Sequence, residues 1–239
     1  MPKQFKKAAC FLTVLGLLTS FVFGAHSSYA MPKQKDAKQA TKVLSNSELK
    51  TLDLDELGDI DDLDDLLLDI DWGFDFDDDW EELEQDGIFY VVNDKDEVII
   101  TGYSESIDKA TISIPSKIDG KPVTMIYEFA FCGLEKTKTI NIPDSVKVIG
   151  AEAFAWCEDL QTINISNSVT TIDVAAFSGN DKLKTINIPN SVTELGAGAF
   201  ILCENLTNVT LPNTISSIPY GTFAGCVSLK KIDIPSSVK

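Results

Sequence analysis

Five phenylalanines, Phe131, Phe154, Phe177, Phe200 and Phe223, stand 23 residues apart. The interval is shared by many other positions. Ala130, Ala153, Ala176 and Ala199 precede four of the five rings, with Thr222 before the last. Nine residues after each Phe come Ile140, Ile163, Ile186, Val209 and Ile232, and two further on Ile142, Ile165, Ile188, Leu211 and Ile234. Pro143, Pro189, Pro212 and Pro235 follow, with Ser166 as the exception. Val146, Val169, Val192, Ile215 and Val238 come next, and Ile149, Ile172, Leu195 and Ile218 close the turn. So many columns at one period constrain the chain to stacked coils, because a single copy cannot bury its own apolar edge.

Within one copy, Ile163 and Ile165 alternate with the polar Thr162 and Asn164. This is the period-2 pattern of a short strand with one buried face. Proline after the strand has no N–H for a ladder and ends the pairing. Asn and Ser then turn the chain, and an Ala-Phe pair brings one small and one bulky side chain back inside. The expected fold class is a β-rich solenoid of 23-residue coils, with neighbouring strands about 4.8 Å apart.

The unit Ile-Pro-x-Ser-Val-x-x-Ile-Gly-x-x-Ala-Phe-x-x-Cys-x-x-Leu-x-x-Ile-x-Ile-Pro, read from Ile142 through Leu160 to Ile165, resembles the BspA-like (Treponema-type) leucine-rich repeat. The resemblance covers roughly residues 110–239. It implies a right-handed leucine-rich-repeat superhelix with a concave parallel sheet. It also implies a bacterial secreted or surface protein, since some members of that family are adhesins; function follows only loosely, because solenoids host many partners.

Some copies depart from the pattern. Leu134 and Asn180 occupy the column that Cys157, Cys203 and Cys226 fill elsewhere, and Thr137 stands where later copies have Leu. Upstream, Ala110 to Pro115 reads as an earlier strand, displaced by five extra residues around Ile118 to Pro122. Before it, Ile88–Val92 and Glu97–Thr101 flank Asn93–Asp96 as a hairpin, so residues 87–109 are expected to cap the repeat domain of residues 110–239. The chain stops at Val238-Lys239 in mid-repeat, which reads either as a truncated product or as a last coil left open.

The amino-terminal third has a different composition. Lys3, Lys6 and Lys7 precede an apolar run from Ala8 to Phe23, and Ser28 and Ala30 supply small residues for cleavage, so residues 1–30 read as a signal peptide. Residues 31–52 form a lysine-rich flexible leader. Residues 53–86 carry eighteen carboxylates and no lysine. Leu57, Ile60, Leu63, Leu67 and Ile70 would share one helical stripe there, giving an acidic, partly helical arm. Asp75-x-Asp77-x-Asp79 resembles the opening of a calcium loop, but Trp80 stands where the sharp turn needs glycine. Weak calcium association is the most that this pattern supports.

Several functions are disfavoured by what the chain lacks. The single histidine, His26, lies in the signal peptide, so the mature chain has no imidazole base or ligand. All basic side chains are lysines, which removes the bidentate grip on phosphate, and the net charge of −17 makes nucleic acid an unfavourable partner. The cysteine spacing fits no zinc set. The column of Cys157, Cys203 and Cys226 reads as small buried thiols acting as apolar filler, with Cys203–Cys226 as a conceivable cross-coil disulfide. No catalytic residue, metal site, disulfide or cofactor is assigned, no membrane insertion is expected after signal cleavage, and the chain is expected not to be an enzyme.

The outward strand positions form the one surface that repeats in register. They comprise Asn141, Gln161, Thr162, Asn164, Lys184, Thr185, Asn187, Asn208, Thr210, Lys230 and Asp233. Amides, hydroxyls and a few lysines can hydrogen-bond an extended partner, an extracellular protein or polysaccharide. The surface lacks large aromatic anchors, so affinity would come from extent. The expectation is a secreted or cell-surface binding or adhesion protein using this face. The alternative is a structural spacer that displays the acidic arm.

Overall fold

The computed structural model describes residues 81–239. The signal peptide, the leader, the helical stripe over 57–70 and the Asp75–Asp79 pattern lie outside the described residues. The chain is first seen as an antiparallel meander of β1 (Leu83–Gln85), β2 (Ile88–Val92) and β3 (Val98–Tyr103). Asp86 and Gly87, both at positive φ (52° and 81°), make the two-residue turn that fits the twist of such a hairpin. β1 lies within the segment expected as the end of the acidic arm. The Asn93 side chain closes the β2–β3 loop by accepting from the N–H groups of Lys95 and Glu97.

β3 then pairs in parallel with β6 (Lys121–Ile126), and the meander passes into the solenoid. The first coil, from β4 (Thr111–Ser113) to β7 (Thr139–Asn141), is 28 residues in register because it holds a small hairpin, β5 (Lys117–Ile118) against β6. Each later coil has the expected three-residue strand, β9 (Thr162–Asn164), β11 (Thr185–Asn187) and β13 (Asn208–Thr210), in 23-residue register. Each of the three coils from β7 onward also has a second strand of two residues, β8 (Val148–Ile149), β10 (Thr171–Ile172) and β12 (Glu194–Leu195). These continue from β6 and join the meander in one eight-stranded sheet. The last coil departs from expectation. No strand forms over Ile232–Ile234, and Ile234 is exposed.

The third side of each coil is the Ala-Phe turn, held by backbone bonds without a strand. The N–H of Phe131, Phe154 and Phe177 donates to the carbonyl of Ala153, Ala176 and Ala199, at 2.8–2.9 Å. Flanking each Phe by two residues are two columns at positive φ: Phe129, Glu152, Ala175, Gly198 and Gly221, then Gly133, Trp156, Gly179, Leu202 and Gly225. The backbone is bent into the left-handed region whatever residue stands there, so the neighbouring coils dictate it. Gly179 is required for a second reason: a Cβ there would lie 2.5 Å from the Trp156 ring.

Inside, the rings form one ladder. Phe131, Phe154, Phe177 and Phe200 are fully buried, with centroids 5.3–5.7 Å apart and planes within 10° of parallel. Tyr103 of β3 continues the ladder at one end and Phe223, partly buried, at the other, each at 5.8 Å. Isoleucine, valine and leucine from both strand types fill the rest of the interior.

Cys157, Cys203 and Cys226 are buried free thiols, as the filler reading expects, and they add hydrogen bonds to it. The thiols of Cys157, Cys203 and Cys226 donate to the carbonyls of Phe131, Phe177 and Phe200 at 3.4, 3.2 and 3.1 Å. The backbone N–H groups of Asn180 and Cys203 in turn donate to the sulfurs of Cys203 and Cys226. Asn180 reproduces both roles: its amide donates to the carbonyls of Phe154 and Phe177, and its oxygen accepts from Cys157 N–H at 2.9 Å. The column is a hydrogen-bonded spine. Thr137, placed where later coils have leucine, is satisfied by the Asp108 carboxylate at 2.9 Å.

Glu152 stands in a column shared with the buried Phe129 and Ala175, and it is itself only 5% exposed. One carboxylate oxygen has no hydrogen-bond partner among the described residues. Burial, with Glu128 adding repulsion, pushes its pKa from 4.5 up to about 7. The folded state therefore holds this proton more tightly than the unfolded chain. Stability is highest below pH 4.5 for this group and is lost as pH rises toward 7, by about 3 kcal/mol. Urea unfolding of wild type and Glu152→Gln from pH 4 to 8 should give a difference curve that changes across this window in that direction. A flat difference would show that Glu152 ionises as freely folded as unfolded.

Candidate functional site

The candidate site is the face made by the outward positions of the long strands. Alternation turns Ile112, Ile140, Ile163 and Ile186 inward and sends Thr162, Asn164, Thr185, Asn187, Asn208 and Thr210 to the solvent side, where all six are exposed. Thr139 and Asn141 of β7 are half-buried. Register places Thr139, Thr162, and then Thr185 opposite Asn208, in one column, and Asn141 with Asn164, and Asn187 with Thr210, in another.

The face is divided in two. β4, β7 and β9 form one sheet and β11 with β13 another. The bonds that cross between coils elsewhere, Ile142 N–H to Asn164 O and Thr207 N–H to Lys184 O, have no counterpart between β9 and β11. The divide falls at the coil where Ser166 replaces proline. Its hydroxyl donates to the Pro143 carbonyl at 3.1 Å and accepts from Ser168 N–H. On the β4–β9 side an amide ladder runs along the face: Asn164 Nδ2 donates to Asn141 Oδ1 at 2.7 Å, and Asn141 Nδ2 donates to Ser113 Oγ at 3.0 Å. Asn187 takes no part in it, so its amide is available to a ligand.

Gln161 and Lys184 are exposed at the leading ends of their strands, and Lys230 occupies the equivalent place in the last coil. Asp233 is exposed and ion-paired with Lys231 at 2.9 Å. Lys230 and Asp233 therefore lie beyond the last strand of the ladder, while the other nine predicted positions stand on its strands or at their edges.

The thiols are poorly suited to nucleophilic work. Burial raises the pKa of Cys203 far above its ordinary value and pushes Cys226 up to about 11. Among the described residues, no group of three or more His, Cys, Asp or Glu side chains is arranged to hold a metal ion, and no helix is long and apolar enough to cross a membrane. What the face can do chemically is hydrogen-bond and, through its lysines, attract anions.

Comparison with known proteins yields the following. Residues 124–239 match the BspA type leucine rich repeat region in six copies. The solved leucine-rich-repeat protein of T. pallidum is 29% identical, with a TM-score of 0.50 over 62% of this chain and 80% of that one. A leucine-rich repeat protein from Eubacterium ventriosum is 25% identical, with a TM-score of 0.51 over 62% of this chain. The alignment spans 46% of that protein, under half its length. No curated protein matches.

Proposed function

Residues 124–239 belong to the BspA-type leucine-rich-repeat family, and from that premise we propose that this is a secreted or cell-surface binding protein, not an enzyme, that holds an extracellular protein or polysaccharide on its long-strand face. The family supports a binding or adhesion role, and the repeated polar face supports this choice of surface. The observation that carries the reading is a surface of exposed amides, hydroxyls and lysines repeated in register from coil to coil. Hydrophobic anchors are missing from it, so each contact is weak and an extended partner gains by meeting several coils at once.

The test is a binding screen against matrix proteins and glycans, followed by substitution on the face. Lys184→Glu and Asn187→Asp alter exposed side chains outside the amide ladder and should change stability by less than about 0.5 kcal/mol. Each should weaken the ligand found by several-fold. Glu194→Gln, on exposed β12 of the other sheet, should leave binding unchanged. Glu152 does not serve as such a control, since it is buried. Binding lost in the Glu194 variant and kept in the other two would place recognition elsewhere. If deleting residues 53–86 removes binding, the acidic arm is the functional part and the solenoid its support.

A further inference from the structure

At the leading end of the long strands one column reads Lys138, Gln161, Lys184, Thr207, Lys230, all exposed. A cation stands on every second coil, with a neutral hydrogen-bonding side chain between. Strand register holds two steps of this order, Lys138 beside Gln161 through β7 and β9 and Lys184 beside Thr207 through β11 and β13. The steps to Lys184 and to Lys230 follow the 23-residue repeat of the coils. Parallel strands about 4.8 Å apart bring the cations back roughly every 10 Å along the stack. Three described lysines pair with carboxylates, Lys182 with Asp159, Lys231 with Asp233 and Lys121 with Asp96. Lys138, Lys184 and Lys230, like most lysines among the described residues, make no ion pair. Lys230 donates to the Val227 carbonyl at 3.2 Å, and Lys138 lies near enough to Asp159 to help lower its pKa.

We propose that this column is a track for a linear anionic polysaccharide that bears a carboxylate on alternate sugars. The polymer lies along the stacking direction, across the strands. Each acid meets one lysine, and each neutral sugar sits over Gln161 or Thr207. The inference rests on the recognition-face reading above and narrows its ligand. A polymer of identical units matches a surface that repeats from coil to coil, whereas the surface of a folded protein does not repeat in this way, and the face has no apolar anchor for one. A disaccharide with one acid has close to the two-coil spacing.

The full chain is titrated with hyaluronan octasaccharide (acid on alternate sugars), polygalacturonate of equal length (acid on every sugar) and dextran (no acid). Hyaluronan should bind best and dextran not at all, with affinity falling as salt screens the lysines. Lys138→Gln, Lys184→Gln and Lys230→Gln should each weaken hyaluronan about two- to five-fold, the range of exposed ion pairs, and the triple variant by more than about ten-fold. Lys147→Gln, on the turn before β8, should change nothing. Dextran binding as well as hyaluronan, or a triple variant that binds hyaluronan like the wild type, overturns the track. A preference for polygalacturonate overturns the spacing argument. If the screen finds only a protein ligand, and Lys184→Glu weakens it, the polysaccharide fails while the recognition face stands.

Discussion

Replacing Phe177 with alanine should cost about 3–5 kcal/mol, as should truncating any of the four fully buried rings of the ladder. The side chain is fully buried, with Phe154 at 5.7 Å on one side and Phe200 at 5.5 Å on the other. Stability in a stacked array is the sum of each coil and its interfaces, and Phe177 belongs to two interfaces. The neighbours cannot close the gap, because backbone bonds from Phe154 to Ala176 and from Phe177 to Ala199 hold the coils at fixed separation. Phe223 provides the internal comparison. It is partly buried and has one ring neighbour, Phe200 at 5.8 Å, so Phe223→Ala should cost markedly less. In thermal melts Phe177→Ala should fall by about 10 °C, at a few degrees per kcal/mol. A shift no larger than that of Phe223→Ala would contradict the two-interface account.

The fold was legible because periodicity acts on every column at once. Phe177 is buried for the same reason as Phe131, so five weak local signals add to one strong one. The long strands were legible by their alternation, and with them the outward columns that make up the candidate site. The two-residue strands were not. Val148–Ile149 and Thr171–Ile172 each offer a single inward residue, too short for a period of two to register. The positive-φ columns were hidden because their occupants differ: glycine at Gly198 and Gly221, but Phe129, Glu152 and Ala175 before them. Contacts between coils impose that conformation against local preference. Burial of Glu152 was not legible, because its charge suggested the surface. The split of the face is marked in the sequence only by Ser166, and a missing proline does not tell which ladder bonds lapse.

Asn180 should be replaceable by cysteine but not by alanine or leucine. Its side chain is fully buried and makes three hydrogen bonds, to the carbonyls of Phe154 and Phe177 and from the N–H of Cys157. Asn180→Ala takes the side-chain acceptor from the Cys157 N–H and one of two donors from each carbonyl, Phe154 and Phe177 keeping the thiols of Cys157 and Cys203. A buried group left unsatisfied costs about 1–3 kcal/mol. With one group orphaned and two carbonyls each losing one of two donors, the total should be near about 2–4 kcal/mol. Asn180→Leu supplies apolar volume but no polar atom and should fare no better. Asn180→Cys restores both functions in the form used at neighbouring coils. Cys157 donates to the carbonyls of Phe131 and Phe154, the same pair of places one coil earlier, and the sulfur of Cys203 accepts the N–H of Asn180. A thiol is the weaker donor, so a loss of about 1 kcal/mol is expected, the net worth of one ordinary hydrogen bond. Urea unfolding should rank wild type first, then the cysteine variant, with alanine and leucine well below. If leucine matches cysteine, the column is held by apolar contact and the thiols of Cys157, Cys203 and Cys226 are filler after all. If all three variants match wild type, the spine contributes nothing and the rings alone hold the coils in register.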